Sequence, residues 1–478
     1  MHRCAKHKHS SKRTSQHDAK RRALLKQLGL TGMMAAGSVA MPWPLKMALA
    51  NPYNDYKGVI CVFLNGGNDG NDTLIPIDGA YQDYARAHDP IALLKDDLIP
   101  LNLTQSDHKL ALNPALAKLK PISDRGDIAW IANAGPLVKP VSADDVRSGL
   151  AQVPNFLGSH PDQQRLVAGG VPGTFAARSG WGGRALEQMP PELLIDLLSN
   201  LALNENNWLM RGEFWAPTLA QDRDHLVNIN LRNVLAGADT KELKAYQAAV
   251  RVKPSHDDLG VAYRHAVGNV LDEMLELRRV LDAVPEGVAR KEFEATEDRG
   301  LMEQLRTAAR VFWAGREAGV KRQMIFLDWG GFDTHSNQRG SELSNQDGLL
   351  KALANGLDDL DRELKRSGLH DQVVTMVMSE FGRPLRPNSG GGTDHGWGNH
   401  FWVMGGPVNG NRLLGQMPSL VAGGPDDMGD DAMGRWVPTT ATDQIAASVM
   451  EWFGLPRSAF PKVFAHLQNF PNQTLDMF

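Results

Sequence analysis

The chain of 478 residues carries 51 Lys and Arg against 55 Asp and Glu, and only two cysteines. Ten of the basic residues and one of the acidic ones fall in the first 50 positions, which leaves 41 against 54 and a formal charge of −13 beyond them. That balance excludes a nucleic-acid surface, which needs a basic patch.

Residues 1–50 read as an export signal. Lys20-Arg21-Arg22-Ala23-Leu24-Leu25-Lys26 is close to the twin-arginine pattern, a modestly apolar segment spans 28–41, and Ala48-Leu49-Ala50 is a small-x-small cleavage site. The apolar segment is shorter than the roughly 20 residues that cross a bilayer, so no stable membrane insertion is expected after cleavage. The expected mature chain begins near Asn51, in the periplasm or outside the cell, with the twin-arginine export machinery as its partner in transit. Cys4 leaves with the signal, so Cys61 has no partner for an internal disulfide and a hydrophobic core must hold the fold.

From residue 51 to 478 the pattern is that of one large α/β domain with an insertion. An apolar run over 58–64 predicts a strand, and Asn65-Gly66-Gly67-Asn68-Asp69-Gly70-Asn71-Asp72-Thr73 a glycine-rich turn at its carboxyl end. A short helix over 113–119, with Pro114 in its first turn, and a strand over 127–132 complete a β-α-β unit and hence a parallel sheet. Residues 133–184 are loop-rich. From about 186 to 319 strand signals are sparse and helical periodicity prevails, which predicts a mainly helical insertion or cap ending in a helix that packs on the sheet. The regular pattern resumes with a strand over 323–328, a helix over 347–367, a strand over 373–378, a further strand over 401–404 and a terminal helix over 443–453.

Three strand ends carry polar residues suited to a metal. They offer Asp69, then Asp333 and His335, then Glu380 with Asp394, His395 and His400. Singly, each has an ordinary explanation: a capping turn, a Glu380–Arg383 pair, a core histidine. Together, carboxylates and imidazoles at the carboxyl edge of an open sheet point to a shared polar site. One or two divalent ions are expected, with zinc or manganese favoured because calcium prefers oxygen alone, and magnesium or calcium as the alternatives. No phosphate loop, Gly-x-Ser-x-Gly elbow or His-Glu-x-x-His helix competes with that reading.

Asn65 to Thr73, Gly330-Gly331-Phe332-Asp333-Thr334-His335 with Gln338, Ser379-Glu380-Phe381-Gly382-Arg383, and Gly392-Thr393-Asp394-His395-Gly396-Trp397-Gly398 strongly resemble a secreted bacterial family, domain of unknown function fifteen-oh-one. That family is similar in turn to the alkaline phosphatase, sulfatase and cofactor-independent phosphoglycerate mutase superfamily. The resemblance implies an alkaline-phosphatase-like, mostly parallel sheet flanked by helices. It implies Asp69 as the first-strand ligand, Asp333 with His335 as the pair on one metal, and His395 or His400 as the late histidine. Ser159, in the Ser-His-Pro run that follows the second strand, is the implied nucleophile, with Thr73 or water as alternatives, and Arg383 would hold the anionic group. Two departures stand out: Phe381 replaces a ligand histidine, and Gln163 replaces the arginine that the sulfatase signature requires.

The expected function is a periplasmic metal-dependent hydrolase or transferase acting on a small-molecule or polymer phosphate or sulfate ester. The alternative is a non-catalytic envelope protein, with a degraded site, in export or assembly of a surface polymer.

Overall fold

The computed structural model describes residues 56–151, 153–169, 179–194, 196–203, 208–219, 280, 283–289, 293, 299–429 and 431–478. The export signal expected over 1–50, and much of the helical insertion expected over 186–319, lie outside them.

The centre of the sheet is three parallel strands. They are β1 (Lys57–Leu64), β5 (Arg322–Trp329) and β6 (Val373–Met378). β1 lies between the other two, with Leu64 opposite Trp329 and Phe63 opposite Met378, so three carboxyl ends stand side by side. β2 (Ile128–Gly135), β3 (Asn200–Ala202), β4 (Thr218–Leu219), β7 (Asn399–Met404), β8 (Arg412–Leu414) and β9 (Thr440–Ala441) complete the described sheet. Its order is β8-β2-β7-β6-β1-β5-β3-β4, with β9 beside β2. Within this sheet, among its described strands, only β7 runs antiparallel to its neighbours; a separate small sheet of 74–76, 110–112 and 99–100 is antiparallel throughout. The α/β class and mostly parallel sheet are therefore observed. β1 and β2 run the same way but are separated by β6 and β7, so the first two long strands are not partners. β3 and β4 extend the sheet from within the segment expected to be helical; each has three residues or fewer, too short for a periodic signal.

Alternation along β1 explains the layers. Ile60, Val62 and Leu64 pack in one hydrophobic cluster, with α2 (Arg299–Glu317) and α3 (Gln346–Arg366). Val59, Cys61 and Phe63 pack in the other, with α4 (Thr442–Phe453). Side chains on successive strand residues point to opposite faces, so a wholly buried strand needs helices on both. Leu349, Leu353, Leu357, Leu360 and Leu364 repeat at helical spacing and are all buried under the sheet. Among the described residues no helix is long and apolar enough to cross a membrane.

Candidate metal centre

The loops after β1, β5 and β6 start from adjacent strand ends, and the antiparallel β7 brings its leading loop, 393–398, to the same edge. Ser379 Oγ donates to the Leu64 carbonyl at 2.9 Å and accepts from Asn68 N–H at 3.0 Å, which ties the ends of β1 and β6 together. Gly66 has φ +118, and a Cβ there would lie 2.5 Å from the Asp333 nitrogen. Only glycine lets these two loops approach so closely. A fourth contributor is the start of α1 (His160–Val167), with Ser159 in the N-cap position and Pro161 in its first turn.

Three imidazoles converge here in the same way. Nδ1 of His160 faces Glu380 Oε1 at 2.8 Å, Nδ1 of His335 faces Asp394 Oδ1 at 3.2 Å, and Nδ1 of His395 faces the Gly158 carbonyl at 2.7 Å. Each partner is an acceptor, so each Nδ1 carries a proton, and in the neutral ring each Nε2 presents a lone pair. All three Nε2 atoms turn towards Asp333. His335 Nε2 and His395 Nε2 stand 3.0 and 3.1 Å from Asp333 Oδ1, and 3.0 Å from each other. His160 Nε2 lies 3.5 Å from Asp333 Oδ2 and, although buried, has no hydrogen-bond partner. Lone pairs facing a carboxylate repel unless a proton or a cation lies between them.

That arrangement fits a divalent ion. Two nitrogens bound to one tetrahedral zinc stand about 3.3 Å apart, from Zn–N distances of about 2.0–2.1 Å, close to the observed 3.0 Å. His160, Asp333 and His395 each offer an atom within 4.8 Å of the others, and His335 stands outside that set, meeting it through Asp333 Oδ1 and His395 Nε2. Outer acceptors that fix the ring and tautomer are what metal-bound histidines generally have. Three nitrogens and one carboxylate suit zinc or manganese better than calcium.

Glu380 and Asp394, expected as ligands, therefore stand behind the histidines. Glu380 is fully buried and also accepts the Gly66 N–H at 2.8 Å. Asp394 is held below the usual carboxylate range by the Asn388 hydrogen bond, against partial burial and with His335 assisting. The Glu380 hydrogen bond raises the His160 pKa against burial, whereas burial lowers that of His395. Asp333 is kept low against burial chiefly by Arg383, whose Nη2 donates to Oδ1 at 2.7 Å. Phe381, where the resemblance implied a histidine, packs between His160 and His395 with ring centroids 4.9 and 4.7 Å away.

Arg383 does not meet the expectation of an anion holder. It is buried, and its N–H groups reach the carbonyls of Gly66, Gly67, Phe332 and Thr393 besides Asp333. With its donors spent inside the protein it clamps the ligand loops instead.

Asp69 and His400 lie elsewhere. Asp69 is fully buried in a separate group with Asp72 and His88. Its Oδ1 accepts from the Asn71 backbone and side chain, and its Oδ2 from Gln338 Nε2 at 2.8 Å. Asp72 is met by Tyr84, His88, Gln338 and Arg339. A guanidinium and an amide already donate into these carboxylates, so this knot does not fit a second cation. Gln338 joins it to the centre, because its Oε1 accepts from Thr393 Oγ1 at 2.7 Å and Thr334 Oγ1 at 3.4 Å. His400 accepts the Asn133 N–H on Nδ1 at 3.1 Å, and full burial lowers its pKa to about 4; it is a core histidine. The Thr73 hydroxyl is fully buried and bonded to Asp69 O and Asn68. Ser159 sits beside His160, with Oγ donating to Asp162 Oδ2 at 2.5 Å.

The sequence reading missed His160 as a candidate ligand. The available signal was Ser159-His160-Pro161, an imidazole at a helix start, but only its serine was singled out.

A family model described as "Protein of unknown function (DUF1501)" matches residues 217–427, the stretch holding Asp333, His335, Glu380, Asp394 and His395. The match supports the family resemblance carried by the motifs. Two solved structures are similar at 11% identity. "Crystal structure of Ps i-CgsB" matches with 87% of this chain and 77% of that chain covered, at a TM-score of 0.30. "Crystal structure of Ps i-CgsB in complex with k-i-k-neocarrahexaose" matches with 76% and 70% covered, at 0.26. Scores of that size carry no argument about activity. No curated protein matches the chain.

Proposed function

We propose that the chain is a metal-dependent hydrolase or transferase of phosphate or sulfate esters, exported by the twin-arginine route to act in the periplasm or outside the cell. His160, Asp333, His335 and His395 would hold one cation, zinc or manganese. The observation that carries this reading is the shared orientation of three imidazoles, each with Nδ1 on an acceptor and Nε2 turned to Asp333. A bound divalent ion would polarise the ester and acidify water.

The chain's own residues supply the rest. Glu380, Asp394 and the Gly158 carbonyl keep the protons on Nδ1. Arg383 holds Asp333 in place and ionised. Ser159 is the nearby hydroxyl at a helix start, and Asp162, already its hydrogen-bond acceptor, can take its proton during attack. Water is the alternative attacker.

A second reading, a non-catalytic envelope protein that keeps the fold, is favoured by one observation. The Asp69 carboxylate, implied by the resemblance to be a ligand, is consumed by Asn71 and Gln338. Turnover of generic phosphate and sulfate monoesters, with and without chelator, separates the two readings. The enzyme reading expects turnover that chelator removes, that zinc or manganese restores and that His335→Ala lacks. Turnover indifferent to chelator and to His335 would refute it. Tight metal binding with no turnover would favour the second reading.

A further inference from the structure

Building on the metal-centre reading, we propose that Arg435 recognises a tetrahedral oxyanion, the phosphate or sulfate group of an ester, beside that centre.

With Arg383 spent, direct hydrogen bonds to an anionic group beside the metal must come from another side chain. Arg435 adjoins the ligand loop. Its Nε donates to the His395 carbonyl at 3.3 Å, so the guanidinium is anchored on the loop that carries a ligand histidine. The side chain is 26% exposed, unlike that of Arg383, and is open to a ligand from solvent.

The backbone beneath Arg435 is built to hold position. Asp427 is fully buried, and its carboxylate accepts the N–H groups of Gly423, Gly429, Gly434 and Arg435. The next residue, Trp436, is buried and donates to Asn71 Oδ1 at 2.8 Å. The guanidinium therefore sits on a rigid segment, while its head is held by one half-exposed carboxylate. That carboxylate is Asp431, 2.5 Å from Nη1 and 51% exposed. An exposed pair of this kind contributes little to stability and exchanges readily. Among the described residues Nη2 makes no other hydrogen bond. A planar guanidinium with donors to spare matches the oxygen edge of phosphate or sulfate, which lysine does not reproduce.

The test is calorimetric titration of inorganic phosphate, and separately of sulfate, into zinc-loaded protein, with zinc content measured on each sample. Wild type, Arg435→Gln and Arg435→Lys should hold equal zinc. Wild type should bind at least one anion saturably, Arg435→Gln should weaken that binding ten-fold or more, and Arg435→Lys should recover part of it. The arm that binds more tightly identifies the ester class. Equal anion affinity in wild type and Arg435→Gln, both zinc-loaded, would overturn the proposal and leave the metal centre standing. Absence of anion binding to zinc-loaded wild type would overturn it as well. A chain that takes up no zinc would instead remove the metal-centre reading, and this proposal with it.

Discussion

His335 and His395 meet nitrogen to nitrogen, Nε2 to Nε2 at 3.0 Å, although each already donates through Nδ1 to an acceptor of its own. Two lone pairs do not approach so closely without something positive to share. Around that contact the other features of the site become intelligible: Asp333 beside both nitrogens, His160 opposite, Arg383 and Glu380 behind.

Glu380 gives the first prediction. Glu380→Gln keeps the shape of the side chain but weakens its hold on the His160 proton. Metal affinity should fall by about 10–100-fold, the usual effect of losing an outer partner, while the fold survives. Competition with a zinc chelator measures it. Unchanged affinity would show that Glu380 does not support a ligand.

Arg383 gives the second. Removing a buried charge from its partners costs about 3–5 kcal/mol, and Arg383→Met also strands the carbonyls of Gly66, Phe332 and Thr393. Urea unfolding should show a loss of that order, and Arg383→Lys should recover little of it, because a point charge cannot span those acceptors. A variant as stable as wild type would contradict the clamp.

Much of this edge was legible in the sequence, for physical reasons. Buried parallel strands announce themselves as apolar runs, and whatever follows such a run must emerge at the carboxyl edge; Asp333, His335 and His395 were found that way. Depth was not legible. Asp69 follows its strand just as Asp333 does, but Asn71 and Gln338 draw its carboxylate into the protein. His400 follows His395 by five residues, yet it lies within β7, where full burial holds it neutral. Nor could the sequence show that the N–H groups of Arg383 would be spent on backbone carbonyls of two other loops and of Thr393 in its own.

Asp443 gives a prediction in pH. Burial raises its pKa to about 6, with Arg184 opposing. A carboxyl raised in the folded state stabilises below its unfolded pKa, and that contribution is lost as pH rises through about 6. Asp443→Asn should therefore match wild type near pH 4 and be more stable at pH 7, by about 2–3 kcal/mol at most from a shift of about two units. Melting temperature against pH checks it. A variant destabilised at pH 7 would show that the charge at the start of α4 is favourable.

Export can be tested in cells. Changing both Arg21 and Arg22 to Lys should leave unprocessed precursor in the cytoplasm. Continued appearance of a form starting near Asn51 would contradict the twin-arginine reading.

The most direct test of the central claim is X-ray absorption at the zinc edge on the purified chain loaded with one equivalent of metal. The account predicts three imidazole nitrogens and carboxylate oxygen in the first coordination sphere, and a drop to two imidazoles in His160→Ala. A shell of oxygens alone, or an imidazole count unchanged by loss of His160, would contradict it.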